Sequence, residues 1–209
     1  VEDNIDFGIN QGNQMPIIQI EEGFSNSKDY LRHLVYSNFD KKFGHMSEEE
    51  QQKRKDRIEQ ELPVLYALDY TDYFIMLYML TKKAKERNLP LGYSRGSGAG
   101  CLCLFLLEVT QIDSVKWELD FSRFANLGRK SLADYDMDVS KRRRKELIEI
   151  SEELFGKDKV APIATFNTLS TKVAIRDIGK VLNEKENSPY YNQIPYKLRD
   201  DVAKMIPTV

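Results

Sequence analysis

Cysteine and histidine are nearly absent, with two of each in 209 residues. Cys101 and Cys103 are too close in sequence to found a disulfide framework. There is no C-x-x-C, and with only His33 and His45 beside them a zinc site of ordinary ligand spacing is not expected. Such a chain fits a reducing, cytoplasmic compartment. Long apolar runs are also missing: none reaches the length of a membrane span, Val1–Asp6 has no signal-peptide character, and nothing directs the chain to a membrane. An excess of positive charge is lacking too. The formal net charge is −2, so the chain as a whole is not a basic nucleic-acid binder, although Lys53–Arg57, Lys82–Arg87 and Lys141–Lys145 form basic islands. What is present is 41% hydrophobic and 31% charged residues, the balance of a soluble globular protein able to bury a core as one large domain or one and a half. Val1 is not an initiator Met and Val209 follows an apolar stretch, so the chain reads as a piece of a larger protein.

Against that background the stretch Ser131–Val139, S-L-A-D-Y-D-M-D-V, stands out. Asp134, Asp136 and Asp138 alternate with Ala133, Tyr135, Met137 and Val139. A period of two predicts a strand with three carboxylates on one face and apolar side chains on the other. Asp is a poor strand former and like charges on one face repel, so such a strand needs something to offset the cost. A divalent cation does so. Alternate strand positions lie about 6–7 Å apart, a spacing at which two carboxylates share one Mg²⁺ or flank two. A solvated edge strand with scattered aspartates fits the motif taken alone, whereas a disordered acidic loop is opposed by the apolar face. An EF-hand loop fails, since counting from Asp134 the glycine position holds Val139 and the closing glutamate position holds Lys145.

Ser94–Gly100, S-R-G-S-G-A-G, is the second informative stretch, set between a short strand at Leu89–Gly92 and an apolar helix at Cys101–Val109. Glycines let the backbone approach a ligand, and a following helix aims its amides and positive dipole end at an anion. No G-K-[ST] follows and G-x-G-x-x-G is not matched, so an ordinary tight turn competes with a phosphate cradle. Helices are predicted over Ser27–Phe43, from the capping box at Ser47 and Glu50 to about Leu62 where Pro63 breaks or kinks the run, and over Asp72–Arg87, Lys141–Phe155, Ser170–Leu182 and Tyr196–Ile206. Ile17–Ile20 and Val160–Thr165 are further strand candidates. Lys141–Lys145 falls at a helix start, where the macrodipole disfavours cations, a placement better matched to a nearby phosphate backbone than to solvent. Lys172, Arg176 and Lys180 form a basic stripe that suits either solvent or a line of phosphates.

Together these stretches resemble the catalytic core of the bacterial C-family replicative DNA polymerases, the DNA polymerase III alpha subunit and its relatives. The family's V-G-P-G-R-G-S-A-A-G-S-L is matched by L-G-Y-S-R-G-S-G-A-G-C-L at Leu91–Leu102, and its R-F-L-N-P-E-R by R-F-A-N-L-G-R at Arg123–Arg129. Its P-D-x-D-x-D-F falls on Ala133–Val139, followed by an arginine pair at Arg143 and Arg144. Its I-T-F-G-T-x-x-x-K-x-x-I-R-D-V-G is similar to Ala164–Gly179, A-T-F-N-T-L-S-T-K-V-A-I-R-D-I-G. Upstream, Arg57–Phe74 looks like the family's R-x-x-x-E-L helix and Y-F segment. Departures at Tyr93–Ser94, Ala133 and Asn167, with a lengthened Glu184–Gln193, describe a diverged member, with a phage or prophage as one source.

The resemblance implies an α+β fold: a polymerase beta-like nucleotidyltransferase palm, a mixed sheet with flanking helices, over residues 25–167, preceded by a linker over 1–24 and followed by the start of a helical thumb over 168–209. It implies that Asp134 and Asp136 are catalytic and bind two Mg²⁺ ions, for which Mn²⁺ substitutes. Gly96 and Ser97 then hold the incoming triphosphate with Arg95 and Arg123, while Asp138, Arg143, Arg144, Lys172 and Arg176 support the site or contact DNA. The implied reaction is transfer of a deoxynucleotide from dNTP to a primer 3′-hydroxyl on template DNA, in a bacterial or phage-infected cytoplasm. A sliding clamp and replisome proteins bind through regions outside this chain, where a third catalytic aspartate also lies. A non-templated nucleotidyltransferase and an inactive homologue kept as a binding module are the rival readings.

Overall fold

Two side-chain caps start the helical framework in the structure, a computed structural model that describes residues 18, 20–128, 134–163 and 168–207. The Asn26 Oδ1 accepts from the amide of Asp29 at 2.9 Å and opens α1, Ser27–Ser37; the Ser47 Oγ accepts from Glu50 at 3.3 Å and opens α3, Glu48–Ala67. Each cap satisfies an amide that the helix itself leaves unpaired. Between them runs α2, Phe39–Phe43, and after them α4, Thr71–Glu86. The described residues divide between Ala161 and Pro162 into two compact units.

In the first unit α1 buries Tyr30, Leu31, Leu34 and Val35, and α4 buries Phe74, Leu77 and Ala84. These are the faces their sequence periodicity assigns. They close one core with Phe39 and Phe43, with Ile58, Leu62 and Leu65 of α3, and with the short α5, Leu102–Leu106. Each fully buried side chain of this kind contributes about 1.5–3 kcal/mol relative to exposure. Ile18, Ile20 and Phe24, within the segment read as a linker, pack on this core. A second, smaller cluster seats Ile150 of α6, Arg144–Phe155, against Ala84 and Leu89, flanked by Leu147 and Leu154. Ile148 of the same helix is exposed. In the second unit α7, Thr171–Glu184, is capped by Ser170 and pairs with α8, Tyr196–Met205, through Arg176 and Asp200. Among the described residues no helix is long and apolar enough to cross a membrane.

The mixed-sheet α+β palm expected from the sequence is not found. Among the described residues the fold is helical, and its only β pairing is an isolated antiparallel bridge between Leu91 and Val139. Leu91 and Gly92 do lie beside Asp138 and Val139, with the Gly92 amide donating to the Asp138 carbonyl at 2.9 Å. Pairing stops there because Pro90 has no amide to give and the aspartates resist a ladder that would align their charges. Of Val160–Thr165 the described part is unpaired, and the rest lies outside the described residues, as do Ile17 and Gln19 of the first strand candidate.

Two helix lengths also differ from expectation. α3 continues through Pro63 to Ala67, because Pro63 lies on the exposed face while Leu62 and Leu65 anchor the helix on either side; the unpaired carbonyl a turn earlier can then reach water. α5 ends early. Glu108 adopts φ +60°, and the amides of Val109 and Glu108 return to the carbonyls of Leu104 at 2.9 Å and Phe105 at 3.0 Å, a Schellman closure without glycine.

Burial has a pH consequence. First of all burial, and then neighbouring groups, keep the hydroxyls of Tyr36, Tyr73 and Tyr135 neutral up to about 12, against an ordinary value of 10.0. Below the ordinary value both folded and unfolded chains hold these protons and the contribution is complete. Between there and about 12 only the unfolded chain releases them, so stability falls as pH rises. Denaturant melts across this interval are expected to show falling midpoints, with tyrosinate absorbance appearing as the chain unfolds; flat midpoints would contradict it.

Candidate active site

A helix with little apolar surface builds the site. α3 carries Arg54, Arg57 and Glu61 on its inward side, and Glu61 is fully buried. Its carboxylate accepts from the amides of Leu102 and Cys103, both at 2.9 Å, and from the Cys101 thiol at 3.2 Å; it also pairs with the Arg57 Nε at 2.7 Å, one helical turn away. The Arg57 Nη2 then donates to the carbonyls of Gly100 and Leu119, each at 2.8 Å. One ion pair thus fixes the exit of the glycine turn and the chain that crosses behind it. A turn earlier, Arg54, 2% exposed, donates to Asp113 from Nε and Nη2 at 3.0 and 2.6 Å, and Asp113 in turn receives the amides of Val115 and Lys116. The loop Asp113–Leu119 is held at both ends by α3.

On this support Gly96–Gly100 winds as a 3-10 turn. Gly96 has φ +65°, in the left-handed region where a side chain is strained. The sequence pattern gives the next helix's N-terminus to a ligand. In the structure α5 is five residues long and Glu61 already occupies its first amides, which leaves the turn and its neighbours as the candidate anion site.

Those neighbours converge. Gly96, Ser97, Ala99 and Gly100 line one cleft of about 380 Å³ with Leu119, Asp120 and Arg123. Arg123 ends a 3-10 turn, Phe121–Arg123, which Asp120 caps by accepting from the Ser122 amide at 2.9 Å and its hydroxyl at 2.6 Å. These bonds hold the Asp120 carboxyl below its ordinary value. Phe124 next to it is fully buried against Phe74, with ring centroids 6.1 Å apart, and anchors the arginine's backbone. Asp120 in the cleft wall went unread in the sequence; its only signal is D-F-S-R, an Asp two residues before a Ser it can cap.

The acidic segment passes beside this turn in extended form. Asp134, Asp136 and Asp138 are exposed and Tyr135, Met137 and Val139 half-buried, so the period of two is realised without a sheet. A Cβ on Gly96 would lie 3.8 Å from the Asp136 Oδ2. Arg95 faces the aspartates rather than the cleft: its Nε is 3.9 Å from Asp136 and its Nη1 3.4 Å from Asp138. Exposed carboxylates are hard oxygen donors of the kind Mg²⁺ and Mn²⁺ take, with water or substrate oxygens completing the shell. No group of three or more His, Cys, Asp or Glu able to hold a metal occurs among the described residues, so protein ligands alone make a partial set.

The remaining expected site residues lie elsewhere. Arg143 pairs with Glu146 at 2.6 Å and donates to the carbonyls of Asn88 and Arg87 at the end of α4, while Arg144 is exposed in the first turn of α6. In the second unit Arg176 donates to Asp200 at 3.0 and 2.8 Å, which commits the middle of the basic stripe to helix pairing; Lys172 lies one turn before it on α7.

Comparison with known proteins bears on the family. Residues 29–209 match the family model described as the bacterial DNA polymerase III alpha NTPase domain. The chain is 39% identical over 172 residues to the DNA polymerase III subunit alpha of Treponema pallidum, covering 82% of this chain and 14% of that protein. It is 37% identical over 184 residues to the Helicobacter pylori J99 subunit, with 88% and 14% covered. It is 32% identical over 195 residues to the Escherichia coli K12 subunit, with 90% and 16% covered. The chain therefore spans about one seventh of the length of these relatives.

Replacing Glu61 tests the support beneath the turn. Glu61→Ala strips partners from two buried amides and from Arg57, and is expected to cost about 3–5 kcal/mol in a denaturant titration. Glu61→Gln keeps the shape and an acceptor and is expected to cost less. Equal stability of all three chains would contradict the buried pair as the organiser.

Proposed function

The chain belongs to the bacterial DNA polymerase III alpha family, and on that premise we propose that it supplies part of the catalytic centre of a DNA-directed DNA polymerase, which adds deoxynucleotides from dNTP to a primer 3′-hydroxyl. The observation that carries this reading is the convergence of Gly96, Ser97 and Arg123 on one cleft beside the aspartate-bearing segment.

Gly96 and Ser97 receive the triphosphate, the glycine by close backbone approach and the serine through its hydroxyl. Arg123 neutralises the leaving pyrophosphate from the opposite wall of the cleft. Asp134 and Asp136 are the residues that would hold two Mg²⁺ ions, or Mn²⁺ in their place, and these would supply Lewis-acid activation and charge neutralisation. Arg95, which spans Asp136 and Asp138 in this structure, would then be free to turn to phosphate oxygens. Asp138 supports that exchange, and Arg144, Lys172 and the outer edge of Arg176 contact the DNA backbone, whereas Arg143 serves α4. Residues 25–167 carry the catalytic segment and 168–209 the start of a thumb. A third aspartate, the sliding-clamp contact and the contacts to other replisome proteins lie in other parts of the parent protein, which works in the cytoplasm. The 209-residue chain by itself is expected to extend no primer.

Primer extension by the full-length parent tests the reading. Asp134→Asn or Asp136→Asn should each lower template-directed extension by roughly 10³-fold, the scale of several kcal/mol of transition-state stabilisation. Ser97→Ala should raise the KM for dNTP by about tenfold or more, the scale of a hydrogen bond to a charged group. Aspartate variants as active as wild type, or extension that ignores the template, would overturn it.

A further inference from the structure

Tyr135 stands between the two aspartates and points the other way. Its hydroxyl donates to the Val109 carbonyl at 2.9 Å, at the closure that ends α5. Its ring lies against Gly98: a Cβ there would sit 2.8 Å from Cδ2 and 3.0 Å from Cε2, well inside the roughly 3.5–4.0 Å of an ordinary carbon–carbon contact. Gly98 is not among the residues with positive φ. Its own backbone therefore admits alanine, and the tyrosine ring is what excludes a side chain.

We propose that Tyr135 is a positioning residue, one that sets the carboxylates of Asp134 and Asp136 against the glycine turn, and that Gly98 is the socket for its ring. The inference rests on the assignment of Asp134 and Asp136 as cation ligands made above. In an extended segment each side chain points opposite to its neighbours, so fixing one ring fixes the direction of the carboxylates before and after it. A polymerase site tolerates little misplacement, since errors near 1 Å in the reacting groups cost on the order of 100-fold in rate. No sheet holds this segment among the described residues. The ring in its socket and the Leu91–Val139 bridge four residues on are what keep it against the turn.

The test uses the full-length polymerase, with Mn²⁺ affinity followed by electron paramagnetic resonance in the absence of nucleotide, beside primer extension and thermal melting. Tyr135→Phe keeps the ring and removes only the bond to Val109; it should weaken Mn²⁺ binding about fivefold, the size of one neutral hydrogen bond, and lower the melting temperature by at most about 4 °C. Gly98→Ala should weaken binding about tenfold or more and lower kcat more than it moves the KM for dNTP. Added to Tyr135→Ala, Gly98→Ala should cost nothing further, because the clash has gone. If Asp136→Asn abolishes Mn²⁺ binding while Tyr135→Phe and Gly98→Ala bind and extend like wild type, the positioning role is refuted. Additive losses in the double variant refute the socket. If Asp136→Asn itself binds Mn²⁺ like wild type, the cation-site assignment fails first and the inference falls with it. Should Gly98→Ala melt early, Tyr135→Phe decides.

Discussion

A carboxylate shut away from water must be fully partnered, and at Glu61 that requirement organises the first unit. Left bare, such a group costs several kcal/mol; paired with Arg57 and given two amides and a thiol, it becomes a fixed point. Arg57 extends the fixed point outward to Gly100 and Leu119, both of which line the cleft. One guanidinium nitrogen thus ties together two segments of the cleft lining. Surface pairs do not compare. Arg32 and Glu59 meet at 2.7 Å with about half of each side chain exposed, and such a pair contributes at most about 1 kcal/mol.

The same logic separates what is rigid from what is poised. Behind the cleft, α3 anchors the crossing chain at Asp113 and Leu119, and aromatic packing fixes Phe124 beside Arg123. In front, the aspartates are exposed, and Arg95, which meets Asp136 and Asp138 at 3.9 and 3.4 Å, is itself about two-thirds exposed. Contacts of that length in water are weak enough to exchange for a metal or phosphate. A stiff glycine turn thus faces a carboxylate edge whose own partner is easily displaced, and Tyr135, with the Leu91–Val139 bridge, links the two.

Much of this was legible in the sequence. The helical faces of α1 and α4, the Ser47 cap and the alternation at Asp134–Val139 follow from periodicity and local hydrogen bonding, which depend on neighbouring residues alone. The glycine turn and Arg123 were legible as candidates, and their meeting in one cleft was not, since it depends on Arg57 bridging segments 43 and 62 residues away. The mixed sheet came from the resemblance, and the period of two could not test it, since it reports an extended segment with two faces and says nothing of a partner strand; Asp134–Val139 has the faces and a single bridge. Pro63 misled for a related reason: its cost in a helix depends on whether the orphaned carbonyl faces water, which the tertiary fold decides. The polar character of α3 hid its structural role: Arg57 and Glu61 stood out only as the R-x-x-x-E-L pattern of the resemblance, and it is burial that makes Arg54, Arg57 and Glu61 a scaffold.

The most direct measurement is a crystal structure of the full-length parent with Mn²⁺ and a non-hydrolysable dNTP, the metal located by its anomalous signal. One cradle with one carboxylate edge requires an anomalous peak in contact with Asp134 and Asp136, the triphosphate against Gly96 and Ser97, Arg123 on its oxygens, and Arg95 turned away from Asp138. Metal bound away from the two aspartates, or a triphosphate seated outside the cleft below Arg57, would contradict it.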